Sequence, residues 1–239
     1  MGGGGYNERP MANRYFLPTL PTLGPCTLAG DLAHHLGRVL RVRGGDGVVL
    51  GDGRGGTALA VVQTVDRSRI GCVIESTLAA DPAPLRVTLA FAVPKLQRVE
   101  WLLEHGTEVG VTTFAPLWTT RTRPVGERLD RWQRIVTAAA GQCDRAWLPT
   151  VLAGRELTAM LADTTLPTAR VLAAAGAPGL QSDGARRGEV VLLVGPEGGF
   201  DDAEMQAIAA AGFAARSFGQ HTLRTETAAL VGAAILLAT

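Results

Sequence analysis

The segment from Val194 to Thr239 constrains this chain more than any other. An apolar strand stops at Gly195-Pro196-Glu197-Gly198-Gly199-Phe200. The chain then passes through a helix and a short strand to Phe218-Gly219-Gln220-His221-Thr222-Leu223-Arg224-Thr225-Glu226-Thr227-Ala228, where an alanine-rich helix begins. Loops of small residues let a ligand lie against backbone amides, and in open α/β sheets ligands bind beyond the carboxyl ends of the strands. Neither loop has the GxGxxG of a dinucleotide site or the Lys-Ser/Thr pair of a triphosphate cradle. A small-molecule site of another kind is the leading reading. On local features alone, an ordinary strand-to-helix turn explains the first loop equally well.

The segments before Val194 supply a frame for such a site. Val87–Ala92, Thr113–Leu117, Val171–Ala174, Val190–Val194 and Ala214–Phe218 read as short strands. Between them, Lys95–His105 carries Leu96, Val99, Leu102 and Leu103 at helical spacing, and Arg131–Cys143 does so with Trp132, Ile135, Val136 and Ala139. Asp201–Ala211 is a third helix, with Asp201 and Glu204 placed for a capping box and Gly212 at its end. This alternation predicts a largely parallel sheet with helices on both faces.

The amino-terminal part has a different rhythm. Apolar runs at Val48–Leu50, Leu59–Val65 and Ile70–Ile74 are separated by Gly- and Asp-rich turns, which predicts a small barrel. One helix near Asp31–Leu40 interrupts it, with Asp31 as its N-cap. The linker is Asp81-Pro82-Ala83-Pro84. The organisation expected is therefore a flexible leader over 1–13, a barrel over 14–80 and an α/β domain over 85–239.

Charge excludes some classes. The formal net charge of the 239 residues is +1, so any nucleic-acid binding must come from a local patch. The three cysteines and four histidines show no metal-ligand spacing, which favours unpaired thiols in a reducing cytoplasm and no metal. No apolar run reaches the roughly eighteen residues of a membrane helix. The local basic patch is Arg14, Arg38, Arg41, Arg43 and Arg54 with His34 and His35. Arg38 and Arg41 share a face if the helix extends that far. Guanidinium clusters suit phosphate contacts, although a solvated face is the commoner explanation of such a run. Lys95 and Arg121 each follow a strand and could project at one sheet edge. Thr225 is placed to cap the last helix and Glu226 to meet its dipole. Arg224 either steers a substrate or pairs with a neighbouring carboxylate, and the local pattern does not choose between these.

Taken in order, these pieces resemble the RsmE-like 16S ribosomal RNA (uracil-N3) methyltransferases of the SPOUT superfamily. The resemblance spans nearly the whole chain: Arg14-Tyr15-Phe16, His35-Leu36 with Val39-Leu40-Arg41, Gly45-Asp46, Pro94-Lys95, Thr107-Glu108-Val109-Gly110-Val111, Arg131-Trp132, and the two carboxyl-terminal loops. Departures occur at His105-Gly106, at Gly141-Gln142-Cys143-Asp144-Arg145 and at His221-Thr222.

The resemblance implies a PUA-like RNA-binding barrel followed by an α/β SPOUT domain whose last segments thread a deep trefoil knot, a feature that periodicity cannot predict. It also implies a homodimer, S-adenosylmethionine as cofactor, and 16S rRNA of the small ribosomal subunit as partner. Cofactor contacts are then expected from Val194, Gly195, Glu197, Gly198, Gly199, Phe218, Gly219, Leu223, Arg224, Thr225 and Ala228, and RNA contacts from Arg14, His35, Arg38, Arg41, Arg43, Lys95 and Arg121. Methylation of a uracil nitrogen needs charge stabilisation and a proton acceptor. The candidates are Arg224, Arg14 from the partner subunit, and Glu226 or Glu197. Alternatives are a SPOUT enzyme acting on ribose 2′-hydroxyls or tRNA, and a non-catalytic RNA-binding module.

Overall fold

In the second half of the molecule the central strands are nearly continuous apolar runs, and successive side chains go to two cores on opposite faces of the sheet. The structure is a computed structural model that describes residues 13–94, 96–122, 128–179 and 187–238. Its contacts group the chain into two units. One comprises the described residues through Pro82 together with Ala140–Leu148, and the other comprises Ala83–Ala139 and Pro149 onward.

The first unit holds β1 (Arg14–Phe16), β2 (Gly24–Ala29), α1 (Gly30–His34), β3 (Gly47–Gly51), β4 (Gly56–Val65) and β5 (Arg69–Ala79), in the sheet order β1-β3-β4-β5-β2. β1 runs parallel to β3, and the other pairs are antiparallel. Register shifts at Leu59/Ala60 and Val62/Thr64 mark bulges in the long β4–β5 ladder, which bend and twist it. Val48, Leu50, Ala58, Ala60, Val62, Ile70, Cys72 and Ile74 line one core with Leu36. Among the described residues no disulfide forms. Cys26 and Cys72 are register partners across β2 and β5, and burial pushes the Cys72 thiol up to about 11, so it stays protonated at neutral pH.

The helix of this unit departs from expectation. After α1 it continues as a π-helical turn over His35–Val39. Its N-cap is Ala29 with no side-chain cap, so Asp31 lies in the first turn and does not cap it. Arg41 lies beyond the helix end with φ 54°, so helical spacing does not put it on one face with Arg38.

The second unit holds β6 (Leu85–Ala92), α2 (Leu96–Val109), β7 (Thr113–Trp118), α3 (Leu129–Gln142), β8 (Thr150–Val151), β9 (Arg155–Glu156), α4 (Leu157–Leu161), β10 (Ala169–Ala173), β11 (Gly188–Val194), α5 (Asp202–Ala210), β12 (Ala214–Arg216) and α6 (Thr225–Ala238). The last three residues of α3 belong to the first unit. The sheet runs β12-β10-β11-β6-β7-β8, with β9 also on β7, and every pair is parallel. Leu85, Val87, Leu89 and Phe91 of β6 and Val190, Leu192 and Val194 of β11 face α2, α3 and α6. Ala90, Val191 and Leu193 face Leu157 and Met160 of α4 and Ile208 of α5. Strands buried on both faces read as continuous apolar runs, which is why β6 and β11 were legible. No helix among the described residues is long and apolar enough to cross a membrane.

Candidate active site

β11 and β10 end side by side, with Val194 paired to Ala173. Beyond their carboxyl ends lies a cavity of about 350 Å³, within the usual range for small-molecule sites. The Gly195–Phe200 loop forms one wall and the Phe218–Leu223 loop the other, with Leu172 to Ala175 between them.

The first loop is held from several directions. Gly199 has φ 72°, a backbone conformation open to glycine. A Cβ on Gly195 would meet the Phe200 ring at 2.9 Å. Arg121 donates from Nη1 to the carbonyls of Gly198 and Gly199. The Thr225 hydroxyl donates to the Gly195 carbonyl at 2.9 Å. Arg98 Nη1 donates to Glu197 Oε1 at 2.7 Å, and its Nε lies 3.6 Å from Glu226 Oε1. Behind the loop, α5 starts with the expected capping box: Asp201 Oδ1 accepts from the Glu204 amide, and Glu204 Oε2 accepts from the Asp201 amide. The other oxygen of Glu204 accepts from the Thr120 amide, which ties the segment carrying Arg121 to the same helix. The Glu204 amide, with the Thr120 hydroxyl second, holds the Asp201 carboxyl below its usual range.

Of the residues expected at a cofactor, Val194, Gly195, Glu197, Gly199, Phe218, Gly219, Leu223, Thr225 and Ala228 line this cavity, and Gly198 and Arg224 do not. Thr225 differs in role from expectation. It is the first residue of α6, and its hydroxyl joins the two loops instead of capping the helix. The Arg224 carbonyl accepts the first helical bond, from Ala228. The Arg224 side chain is exposed and makes no hydrogen bond or ion pair among the described residues.

Burial and pairing bear on three further expectations. Arg14 is 9% exposed, and its guanidinium binds Asp144 Oδ1 at 2.8 Å and Thr57 Oγ1 at 2.5 Å. All three of its nitrogens are engaged within the first unit, so it is a structural group there and not a free cation for catalysis or RNA. Glu226 is buried, faces Arg98 and is absent from the cavity lining. Arg121 sits on loop carbonyls, which gives it a structural duty the sequence did not suggest. His35, Arg38, Arg41 and Arg43 are exposed in the first unit, and Lys95 lies outside the described residues. No group of His, Cys, Asp or Glu among the described residues could hold a metal ion.

Sequence reasoning missed the Leu172–Ala175 wall and Arg98. The wall had a signal, because β10 is a strand neighbouring the glycine loop at the carboxyl edge. Arg98 had none, since its partner Glu197 is 99 positions away.

Known proteins resemble this chain along most of its length. Residues 81–237 match the RNA methyltransferase domain family, and residues 28–75 match the RNA methyltransferase PUA domain family. The ribosomal RNA small subunit methyltransferase E of Synechocystis is 38% identical over 87% of this chain and 71% of its own length. That of Mycobacterium bovis is 34% identical over 92% and 89%. Among solved structures, ribosomal RNA small subunit methyltransferase E of Neisseria gonorrhoeae bound to S-adenosyl methionine superposes with TM-score 0.86 at 31% identity, covering 95% of this chain and 97% of that one. A Legionella pneumophila methyltransferase in complex with the same cofactor gives TM-score 0.84 at 28% identity, covering 94% and 96%. Matched along its length by relatives of one kind, this chain belongs to the ribosomal RNA small subunit methyltransferase E family.

Proposed function

We propose that this chain transfers a methyl group from S-adenosylmethionine to N3 of a uridine in 16S rRNA of the small ribosomal subunit, as a cytoplasmic homodimer. The observation that carries the reading is the convergence of both carboxyl-terminal loops on one cavity, with Arg224 unpaired beside it. The cavity suits the cofactor. Its walls include Leu172, Val194, Phe218, Leu223 and Ala228, an apolar lining for a flat base, and Glu197 adds a carboxylate that complements a cationic donor. A Cβ built on Gly219 meets nothing within 4 Å, so that wall leaves room for a ligand.

When bound, the cofactor supplies a sulfonium methyl that its positive charge already activates. This chain supplies position and charge. The glycine loop presents its backbone to the cavity, and Thr225 keeps that loop against the start of α6. In this reading Arg224, exposed just before α6, is the cation that meets the incoming base. Loss of the imide proton from uracil N3 to solvent water leaves negative charge shared with the carbonyl oxygens O2 and O4, and a guanidinium there lowers that barrier. N3 lies on the pairing edge, so the target uridine is unpaired or turned out when it reacts. Alignment of nitrogen and methyl gives much of the remaining acceleration.

The architecture in our reading is a PUA-like barrel with a knotted α/β domain. The bulged five-stranded sheet and its single core support the barrel, and exposed His35, Arg38, Arg41 and Arg43 are its RNA contacts. The chain leaves β12 at the sheet edge yet returns as α6 onto β6 and β11 at the centre, a recrossing that supports the knot. α6 carries no charge after Glu226, and Leu230, Val231, Ala234 and Leu237 on it are only partly buried. A helix apolar on all sides is normally covered, which supports a partner subunit there.

The test is incubation of the protein with labelled S-adenosylmethionine and small ribosomal subunits lacking the modification, followed by nucleoside mass spectrometry. 3-Methyluridine is the expected product. A 2′-O-methyl nucleoside, or RNA binding without product, would overturn the reading.

A further inference from the structure

Arg98 occupies a position that its own helix does not favour. It lies in the first turn of α2, where the helix dipole attracts anions and not cations. Its guanidinium instead reaches two carboxylates that belong to different parts of the site. Glu197 is on the Gly195–Phe200 loop, at 2.7 Å from Nη1, and Glu226 is in the first turn of α6, at 3.6 Å from Nε. Taken alone, the Arg98–Glu197 pair is half exposed and would count for little. Glu226 changes the balance. Its side chain is 10% exposed, and its Oε2 is buried without a hydrogen-bond partner among the described residues. A carboxylate in that position needs a nearby cation, and Arg98 is the one the structure places beside it. Neither Arg98 nor Glu226 lines the cavity, whereas Glu197 does.

We propose that Arg98 is the positioning residue of the donor cavity, a strap from α2 that fixes the glycine loop to the start of α6 through Glu197 and the buried Glu226. The inference rests on the reading of this cavity as the S-adenosylmethionine site. It assigns Glu226 an anchoring duty in place of proton transfer. The planar guanidinium offers separate N–H groups to two carboxylates at once, whereas an ammonium acts as a point charge.

The test uses the full chain and its Arg98→Met, Arg98→Lys and Arg98→Met/Glu226→Gln variants. Affinity for S-adenosylmethionine is read by calorimetric titration, thermal stability by scanning, and KM for the RNA from methylation kinetics. Loss of a charge-assisted hydrogen bond corresponds to roughly ten- to a hundredfold in affinity. Arg98→Met is expected to weaken donor binding by about that factor with KM for RNA unchanged, and Arg98→Lys to recover part of it. In the double variant the uncompensated carboxylate is gone, so thermal stability returns while donor affinity does not. Wild-type donor affinity in Arg98→Met, or affinity that returns together with stability in the double variant, would overturn the strap and leave the cavity reading intact. A wild-type chain that does not bind S-adenosylmethionine would overturn both.

Discussion

The loop from Gly195 to Phe200 is tied by side chains from three other segments, Arg98 of α2, Arg121 after β7 and Thr225 of α6. The loop from Gly219 to Arg224, across the same cavity, receives one side-chain hydrogen bond among the described residues, from the Ser217 hydroxyl to the Gly219 carbonyl. His221, Thr222 and Arg224 on it are exposed. In the proposed reading, the difference separates two tasks. A donor whose methyl must be held in one direction needs a wall with few alternative conformations. An incoming RNA base needs a cation that is not already paired. Substitutions on the first wall should therefore disturb folding and donor binding, and substitutions on the second should disturb turnover alone.

The sharpest break in this comparison is Arg224→Ala. Removing a charge-stabilising donor lowers turnover by about a hundred- to a thousandfold, or about 3–4 kcal/mol. Donor affinity is expected to stay within a few-fold and melting temperature to be unchanged, as read by single-turnover kinetics, calorimetry and thermal scanning. Equal loss of affinity and rate would place Arg224 among the loop's supports.

Glu204→Ala tests the tied side. It removes the capping box and leaves the amides of Asp201 and Thr120 without their acceptor, at a cost of about 2–3 kcal/mol. For a unit of this size that lowers the melting temperature by roughly 5–10 °C, and donor affinity should fall with it.

Gly232→Ala probes the junction of the loose loop with the core. Alanine favours a helix over glycine by up to about 1 kcal/mol. A Cβ there would meet Leu192 at 2.9 Å and the Phe218 ring at 3.2 Å, and overpacking of that kind costs about 1–3 kcal/mol. The clash outweighs the gain in helix propensity, so a net loss of about 1 kcal/mol is expected in denaturant unfolding. A gain in stability would show that Phe218 yields freely.

The smallest effect is in pH. The Asp201 carboxyl is depressed below its ordinary 3.8 chiefly by the Glu204 amide. A depressed acid stabilises the fold fully above its unfolded value, and that stability is lost as pH falls through the lower folded value. Amide exchange at Glu204 should accelerate below about pH 4, relative to an Asp201→Asn variant. A pH-independent difference between the two proteins would contradict the assignment.

What the sequence made legible was what short-range chemistry encodes. The apolar runs of β6 and β11, the Asp201/Glu204 box and the two small-residue loops all read correctly, because each depends on neighbours within a few residues. The straps did not. Arg98 and Glu197 are separated by 99 positions, Arg14 and Asp144 by 130, and Thr225 and Gly195 by 30. Arg14 read as a free cation because nothing near it in sequence reveals Asp144. Thr225 read as a cap because a hydroxyl before a helix usually is one. The parallel sheet brings Arg98, Glu197, Gly195 and Thr225 together at one edge, the fold of the first unit does so for Arg14 and Asp144, and periodicity carries no information about which residues will meet.

The most direct test of the central claim is a crystal structure of the full chain grown with S-adenosylmethionine. The cofactor is expected in the cavity between Gly195 and Leu223, with its methyl turned to the Arg224 side and the Arg98 contacts to Glu197 and Glu226 in place. A cofactor bound elsewhere, or a methyl directed away from Arg224, would contradict it.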